Sequence, residues 1–187
     1  METLLSLWLP ILASAIVVFF ASWVIHMFIP YHKNDFDKLP KEEEVMDALR
    51  GFDLTEGDYS FPHCDGPKDM ASEAFAEKMK KGPVGLLTVM KSGPPTMGKE
   101  LAQWFVYCLV VSTIAAYVAS QTLVPGEHYL KVFQIAGCTA FTGYSLALLQ
   151  NSIWYKRKWS STLKSMFDGL IYGVLTAGVF GWLWPGM

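Results

Sequence analysis

Four long stretches without an acidic or basic residue, other than one histidine, limit what this chain can fold into more than any other feature. They cover residues 4–29, 101–123, 132–155 and 169–184. A helix over residues 4–29 would be about 39 Å long at about 1.5 Å per residue. That length exceeds the roughly 30 Å hydrocarbon core of a bilayer. Because backbone hydrogen bonds in lipid must be satisfied within the segment, each stretch is predicted to cross a membrane as an α-helix.

The predicted fold class is an all-α membrane protein with four transmembrane helices and a small α+β insertion between the first and second. Residues 1–31 are predicted to form the first transmembrane helix, 32–96 a small cytoplasmic domain, and 97–187 a three-helix transmembrane region. The predicted spans of that last region are residues 101–123, 132–155 and 166–184.

The first stretch has a competing interpretation as a cleaved signal peptide. The small residues Ala13, Ser14 and Ala15 would suit a cleavage site. A signal peptide also has a basic segment before its apolar run, whereas this chain begins with Glu2 and no Lys or Arg there. We therefore predict an uncleaved first span.

Positive charges predict the orientation in the membrane. Ten of the 15 Lys and Arg residues lie between residues 32 and 100, four lie between 153 and 165, and Lys131 alone lies in the remaining loop. Cytoplasmic loops of membrane proteins carry the excess of Lys and Arg. Residues 32–100 and 153–165 are thus predicted to be cytoplasmic, with both termini and residues 124–131 outside.

The insertion has secondary-structure signals of its own. A helix is predicted after Pro40, ending at Gly51, and a second helix is predicted from Asp69 to Lys81. Alternating residues predict short strands over 58–61 and 84–90. A unit of this size without a disulfide or metal has little core. We expect it to rest on the membrane helices or on another protein.

A ridge of small residues marks the last span. Gly169, Gly173, Ala177 and Gly181 recur every four residues, and such spacing allows another helix to approach closely. The neighbour is either another helix of this chain or a partner subunit. In both cases the ridge is predicted to face away from lipid.

A polar patch is predicted where the third and fourth spans meet the cytoplasmic interface. Its members are Gln150, Asn151, Lys156, Arg157 and Asp168. A bond from Asp168 to Lys156 or Arg157 would close the hairpin between these spans. The patch is also a candidate site for a phospholipid headgroup or a partner.

The sequence predicts no catalytic, cofactor-binding or metal-binding residues. It has no P-loop, GxSxG, HExxH or dinucleotide-binding fingerprint, and the adjacent ligand types His63, Cys64 and Asp65 cannot easily converge on one ion. A net charge of -2 without a basic stripe gives no reason to expect nucleic-acid binding. Whether His26, His32 or His63 binds a ligand or metal stays open at this point.

Three segments together resemble an uncharacterised family of bacterial membrane proteins. They are Ile25-His26-Met27 to Pro30-Tyr31-His32, the stretch KSGPPTMGK at residues 91–99, and the stretch QNSIWYKRKW at residues 150–159. The resemblance implies the bacterial inner membrane as the location. It implies no function and no site residue.

These patterns favour a non-catalytic accessory or scaffolding subunit of a larger bacterial membrane complex, such as a respiratory or photosynthetic assembly. The expected partners are other integral membrane subunits and phospholipid, and a homo-oligomer is compatible with the pattern. The alternative is a self-associating channel or carrier for small solutes, lined by amide and hydroxyl side chains. Neither inverted repeats nor paired broken helices support that alternative, and an enzyme acting on lipid lacks any motif.

Overall fold

Four helices that are long and apolar enough to span a membrane dominate the computed structural model, which describes residues 4–186. Helix α1 is Trp8–Phe28, preceded by a 3₁₀ turn over Leu4–Leu7. The second and third spans are α5, Gly98–Thr122, and α6, Tyr129–Ser145, which continues through a 3₁₀ turn (Leu146–Leu148) into α7, Leu149–Ile153. The fourth span is α8, Trp159–Trp182. Residues 1–3, which include Glu2, and residue 187 are at the ends of the predicted segments 1–31 and 97–187 and lie outside the described residues.

The insertion contains three helices and two strands. In chain order these are α2, Glu42–Arg50; β1, Gly57–Phe61; α3, Pro67–Met70; α4, Glu73–Lys81; and β2, Gly85–Val89. The strands pair antiparallel, with Tyr59 opposite Leu87. The structure has two helices where the sequence pattern predicts one from Asp69 to Lys81. Ser72 caps the N-terminus of α4, because its side chain accepts a hydrogen bond from the Phe75 N–H.

The chain divides into two compact units. The helical unit contains residues 1–37 and 96–187, and the small unit contains residues 38–95. Residues 32–37, which the sequence pattern assigns to the insertion, therefore belong with the spanning helices.

Helices α6 and α8 pack at very short range along the predicted ridge. All four ridge residues, Gly169, Gly173, Ala177 and Gly181, are buried. A methyl group added to Gly173 would lie 3.1 Å from both the backbone nitrogen and the Cβ atom of Phe141 on α6. The ridge thus meets another helix of the same chain, which is one of the two neighbours that its spacing allows.

Helix α1 lies against α5 and α8, and its small polar residues make the contacts with α5. The hydroxyl oxygens of Ser14 and Ser112 lie 2.9 Å apart, and both residues are buried. Nearer the other end of the helix, the indole N–H of Trp104 donates to the Ser22 hydroxyl at 2.8 Å. Hydrogen bonds of this kind join helices where lipid offers no alternative partner.

The fourth span begins seven residues earlier than predicted. The sequence pattern starts it at residue 166, whereas α8 begins at Trp159. Its first two turns contain Ser160, Ser161 and Lys164, which read as a loop because they are polar. In the structure, Ser161 and Thr162 are buried, and the Ser152 hydroxyl donates to the Thr162 hydroxyl at 2.8 Å.

We expect Gly173→Ile to destabilise the helical unit, because the added side chain overlaps the backbone and Cβ atom of Phe141. Overpacking of this kind costs about 1–3 kcal/mol. The matched control is Val174→Ile, which enlarges the next residue of α8 at an exposed position. Thermal unfolding in detergent, followed by circular dichroism, should show a lower midpoint for Gly173→Ile alone. Equal midpoints for the two variants would contradict the close packing of α6 and α8.

Candidate functional site

A cavity of about 490 Å³ opens at the end of the helical unit where α1 ends and α8 begins. The segment after α1 and four helical segments contribute to its wall. Its ionisable residues are His26, His32, Asp35, Tyr107, Tyr144, Arg157, Asp168 and Tyr172. A second cavity, of about 480 Å³, has Lys164 as the charged residue in a mostly apolar lining.

The end of α1 positions the two histidines. Pro30 cannot donate a backbone hydrogen bond and disfavours a helical Ile29, so α1 stops at Phe28. Ile29 is extended, and a 3₁₀ turn over Pro30–His32 follows. The turn brings the His32 ring to the His26 ring, with 4.9 Å between their centroids.

His32 lies between two carboxylates. Its Nδ1 atom is 2.7 Å from Oδ2 of Asp35, and its Nε2 atom is 2.9 Å from Oδ2 of Asp168. The side chain of Asp168 is only 4% exposed and that of Asp35 only 8%. This arrangement joins the segment after α1 to the middle of α8.

Asp35 is also held by Lys164 of α8, whose ammonium group donates to Oδ1 at 3.0 Å. Burial by itself would raise the pKa of Asp35. The hydrogen bonds and positive charges of His32 and Lys164 outweigh that effect and lower the pKa to about 2. Asp35 is therefore a fixed negative charge behind His32.

Asp168 is incompletely satisfied. Its Oδ2 atom contacts His32, but its Oδ1 atom has no hydrogen-bond partner although it is buried. The buried hydroxyl of Tyr172, one turn further along α8 and in the wall of the same cavity, also lacks a partner. Buried polar atoms are nearly always hydrogen-bonded, so such exceptions need an explanation.

Three side chains of the kinds that bind metals converge here. One ligand atom from each of His26, His32 and Asp168 lies within 4.8 Å of the other two. The sequence pattern names Asp168 as part of a polar patch but does not associate it with the histidines. The one signal in the sequence is Pro30, because a helix break between His26 and His32 allows both side chains to face one point.

The predicted polar patch is only partly assembled. Arg157 and Asp168 line the cavity, whereas Gln150 and Lys156 are exposed and Asn151 is half-buried. The Lys156 ammonium group donates to the Ile153 carbonyl at 2.9 Å. Asp168 bonds to His32 in place of Lys156 or Arg157, because α8 starts early and Asp168 lies about 14 Å along it at about 1.5 Å per residue.

His63 and the three cysteines are not among the residues that line the cavity. His63 is exposed in the small unit, where its Nε2 atom is 3.4 Å from Oδ1 of Asp65. The Cys64 thiol donates to the Gly66 carbonyl at 3.2 Å. All three cysteines are free thiols.

Comparisons with protein-family models, curated proteins and solved structures find nothing that matches this chain. The interpretation of the site therefore depends on its own geometry.

We expect Lys164→Met to destabilise the helical unit, since it leaves one oxygen of the buried Asp35 without its partner. The loss of a partner from a buried charged group costs about 1–3 kcal/mol or more. Lys158→Met is the matched control, because Lys158 pairs with Asp37 at the surface and both side chains are largely exposed. Surface changes of that kind stay within about 0.5 kcal/mol. Thermal unfolding in detergent compares the midpoints of the two variants. Equal midpoints would contradict the prediction that the Lys164–Asp35 pair stabilises the unit more than a surface pair does.

Proposed function

We propose that this chain is a non-catalytic accessory or scaffolding subunit of a larger complex in the bacterial inner membrane. In this proposal, the four long helices anchor it and residues 38–95 bind another protein subunit on the cytoplasmic side. The main support comes from the surface of the small unit.

The small unit contains no buried residue. Every residue from 38 to 95 is described, and each is exposed or half-buried. Its large apolar side chains are instead exposed to solvent: Phe52 is 70% exposed, Met70 65% and Met90 80%. A two-stranded sheet without a covered apolar face is marginally stable at best, so this unit needs a surface against which to pack.

The charge of the small unit favours a protein as that surface. Residues 38–95 carry eight Lys and Arg and eleven Asp and Glu, a net charge of -3. The cytoplasmic face of a membrane is negatively charged and attracts basic segments. A net acidic domain with exposed methionines and phenylalanines is better suited to a partner protein with an apolar, partly basic face.

The helical unit offers no free small-residue ridge to a partner, which favours the small unit as the surface that a partner protein binds. The ridge that could have bound a foreign helix is already covered by α6. The exposed side chains of the spans are mainly apolar, as lipid contact requires; on α5 they include Val106, Val110 and Ile114. The amides Gln103 and Gln134 are among the side chains that would line a solute path in the channel alternative, and both are exposed on the outside of the unit.

We expect the wild-type chain to co-migrate with a stoichiometric set of other subunits after mild-detergent extraction from its native membrane. The double variant Phe52→Ser/Met90→Ser should reduce the recovery of those subunits at least tenfold, because it removes the two most exposed apolar side chains of the small unit. Native gel separation with quantitative mass spectrometry measures both. The control Glu77→Ser/Lys80→Ser changes two exposed polar residues of the same unit.

Two results would overturn the proposal. If the wild-type chain migrates alone or only with copies of itself, it is not an accessory subunit. The self-associating channel then takes its place, and Gln134→Leu should alter solute flux in proteoliposomes. If the apolar and polar double variants retain the partners equally, the small unit is not the docking domain.

A further inference from the structure

The cluster of His26, His32 and Asp168 has the ligand types of a transition-metal site. Two imidazole nitrogens and one carboxylate oxygen are a common ligand set for Zn²⁺ and for divalent metals of similar preference. Hard cations such as Mg²⁺ and Ca²⁺ are bound mainly by oxygen. The chemistry of the ligands therefore favours zinc.

The spacing of the ligand atoms is close to that of a metal centre. All three atoms lie within 4.8 Å of one another, and His32 Nε2 is 2.9 Å from Asp168 Oδ2. Bonds of about 2.0–2.2 Å to one tetrahedral ion place ligand atoms about 3.4 Å apart. Metal binding would bring the exposed His26 ring closer to the other two ligands and would lengthen the 2.9 Å contact between His32 and Asp168.

The environment of His32 provides independent support. Histidines that bind a metal through one nitrogen usually donate the other N–H to a carboxylate, which fixes the ring. His32 has this arrangement: Nδ1 is 2.7 Å from Asp35, which is in turn held by Lys164, and Nε2 is 2.9 Å from Asp168 Oδ2.

The unpartnered oxygen of Asp168 is a second independent observation. Its Oδ1 atom is buried without a hydrogen bond in a side chain that is only 4% exposed. A protonated His32 bridging the two carboxylates would satisfy Oδ2 but would leave Oδ1 uncompensated. It would also give His26 no role. A divalent cation beside the carboxylate compensates its full charge and employs both histidines.

We propose that His26, His32 and Asp168 bind one Zn²⁺ ion, with a fourth coordination position facing the cavity of about 490 Å³. Asp35 is a positioning residue that orients His32. The ion fastens the segment after α1 to α8, and binding displaces any proton from His32 Nε2. All three ligands belong to the helical unit and not to residues 38–95, so the zinc measurement and the docking measurement test different residues.

The test is zinc uptake by the purified full-length chain in detergent. The protein is treated with a chelator, exchanged into Zn²⁺ of known concentration, freed of excess metal and measured by mass spectrometry of the elements. The wild type and the control His63→Gln, which removes an imidazole outside the cluster, should each retain about one zinc per chain. His26→Gln and Asp168→Asn should lower the zinc affinity at least tenfold. Asp35→Asn should weaken binding by about 10- to 100-fold without abolishing it.

Thermal unfolding with and without Zn²⁺ provides a second measurement, because ligands that bind only the folded state raise its midpoint. Zn²⁺ should raise the midpoint of the wild type and of His63→Gln but not that of His26→Gln. His26 is exposed, so this variant should fold even if Asp168→Asn does not. Zinc binding that is unchanged in His26→Gln would overturn the proposal. A wild type that takes up no zinc, while Asp168→Asn lowers the midpoint, would show that the cluster is only a bridge through protonated His32.

Discussion

The close approach of α6 and α8 is the contact on which the rest of the helical unit depends. A methyl group added to Gly169 would lie 3.1 Å from Cβ of Tyr144, so these helices can meet only where the ridge of α8 lacks side-chain bulk. The contact fixes the rotation of α8 about its axis. Because Asp168 directly precedes Gly169, that rotation carries its carboxylate into the interior of the unit, where it reaches His32. The polar cavity is thus a consequence of how the small residues pack.

The end of α1 provides the other half of the cavity by a different physical means. Pro30 stops the helix through its missing N–H, and the turn that follows folds His32 back beside His26. Lys164 then holds Asp35 from α8. A lysine in the first turns of this long apolar helix is tolerated because its charge is matched by the Asp35 carboxylate, whose side chain is only 8% exposed. The same lysine made that part of α8 look like a loop.

Much of the fold could be predicted from local patterns, whereas the candidate site could not. Long uncharged runs identify four helices, and Gly51 marks the end of α2 as expected. The division of residues 69–81 into two helices was missed because the Ser72 cap competes with an otherwise continuous helical pattern. The His32–Asp168 contact joins residues 136 positions apart. No periodicity encodes that distance, and only the combination of the Pro30 turn with the rotation of α8 produces it.

Two kinds of unsatisfied group among the described residues correspond to the two functions proposed for this molecule. Several polar groups of the helical unit are paired across helices: Ser14 lies against Ser112, and the Trp104 N–H donates to Ser22. In natural proteins, departures from this pairing of polar groups and covering of apolar groups are found mainly at functional sites. The small unit departs from it through apolar surface without a cover, which a protein partner would bury. The cavity departs from it through the Asp168 carboxylate, one of whose oxygens is buried without a partner, and a bound cation would compensate the charge of that carboxylate. Because the two deficits differ in chemistry, they call for two different ligands.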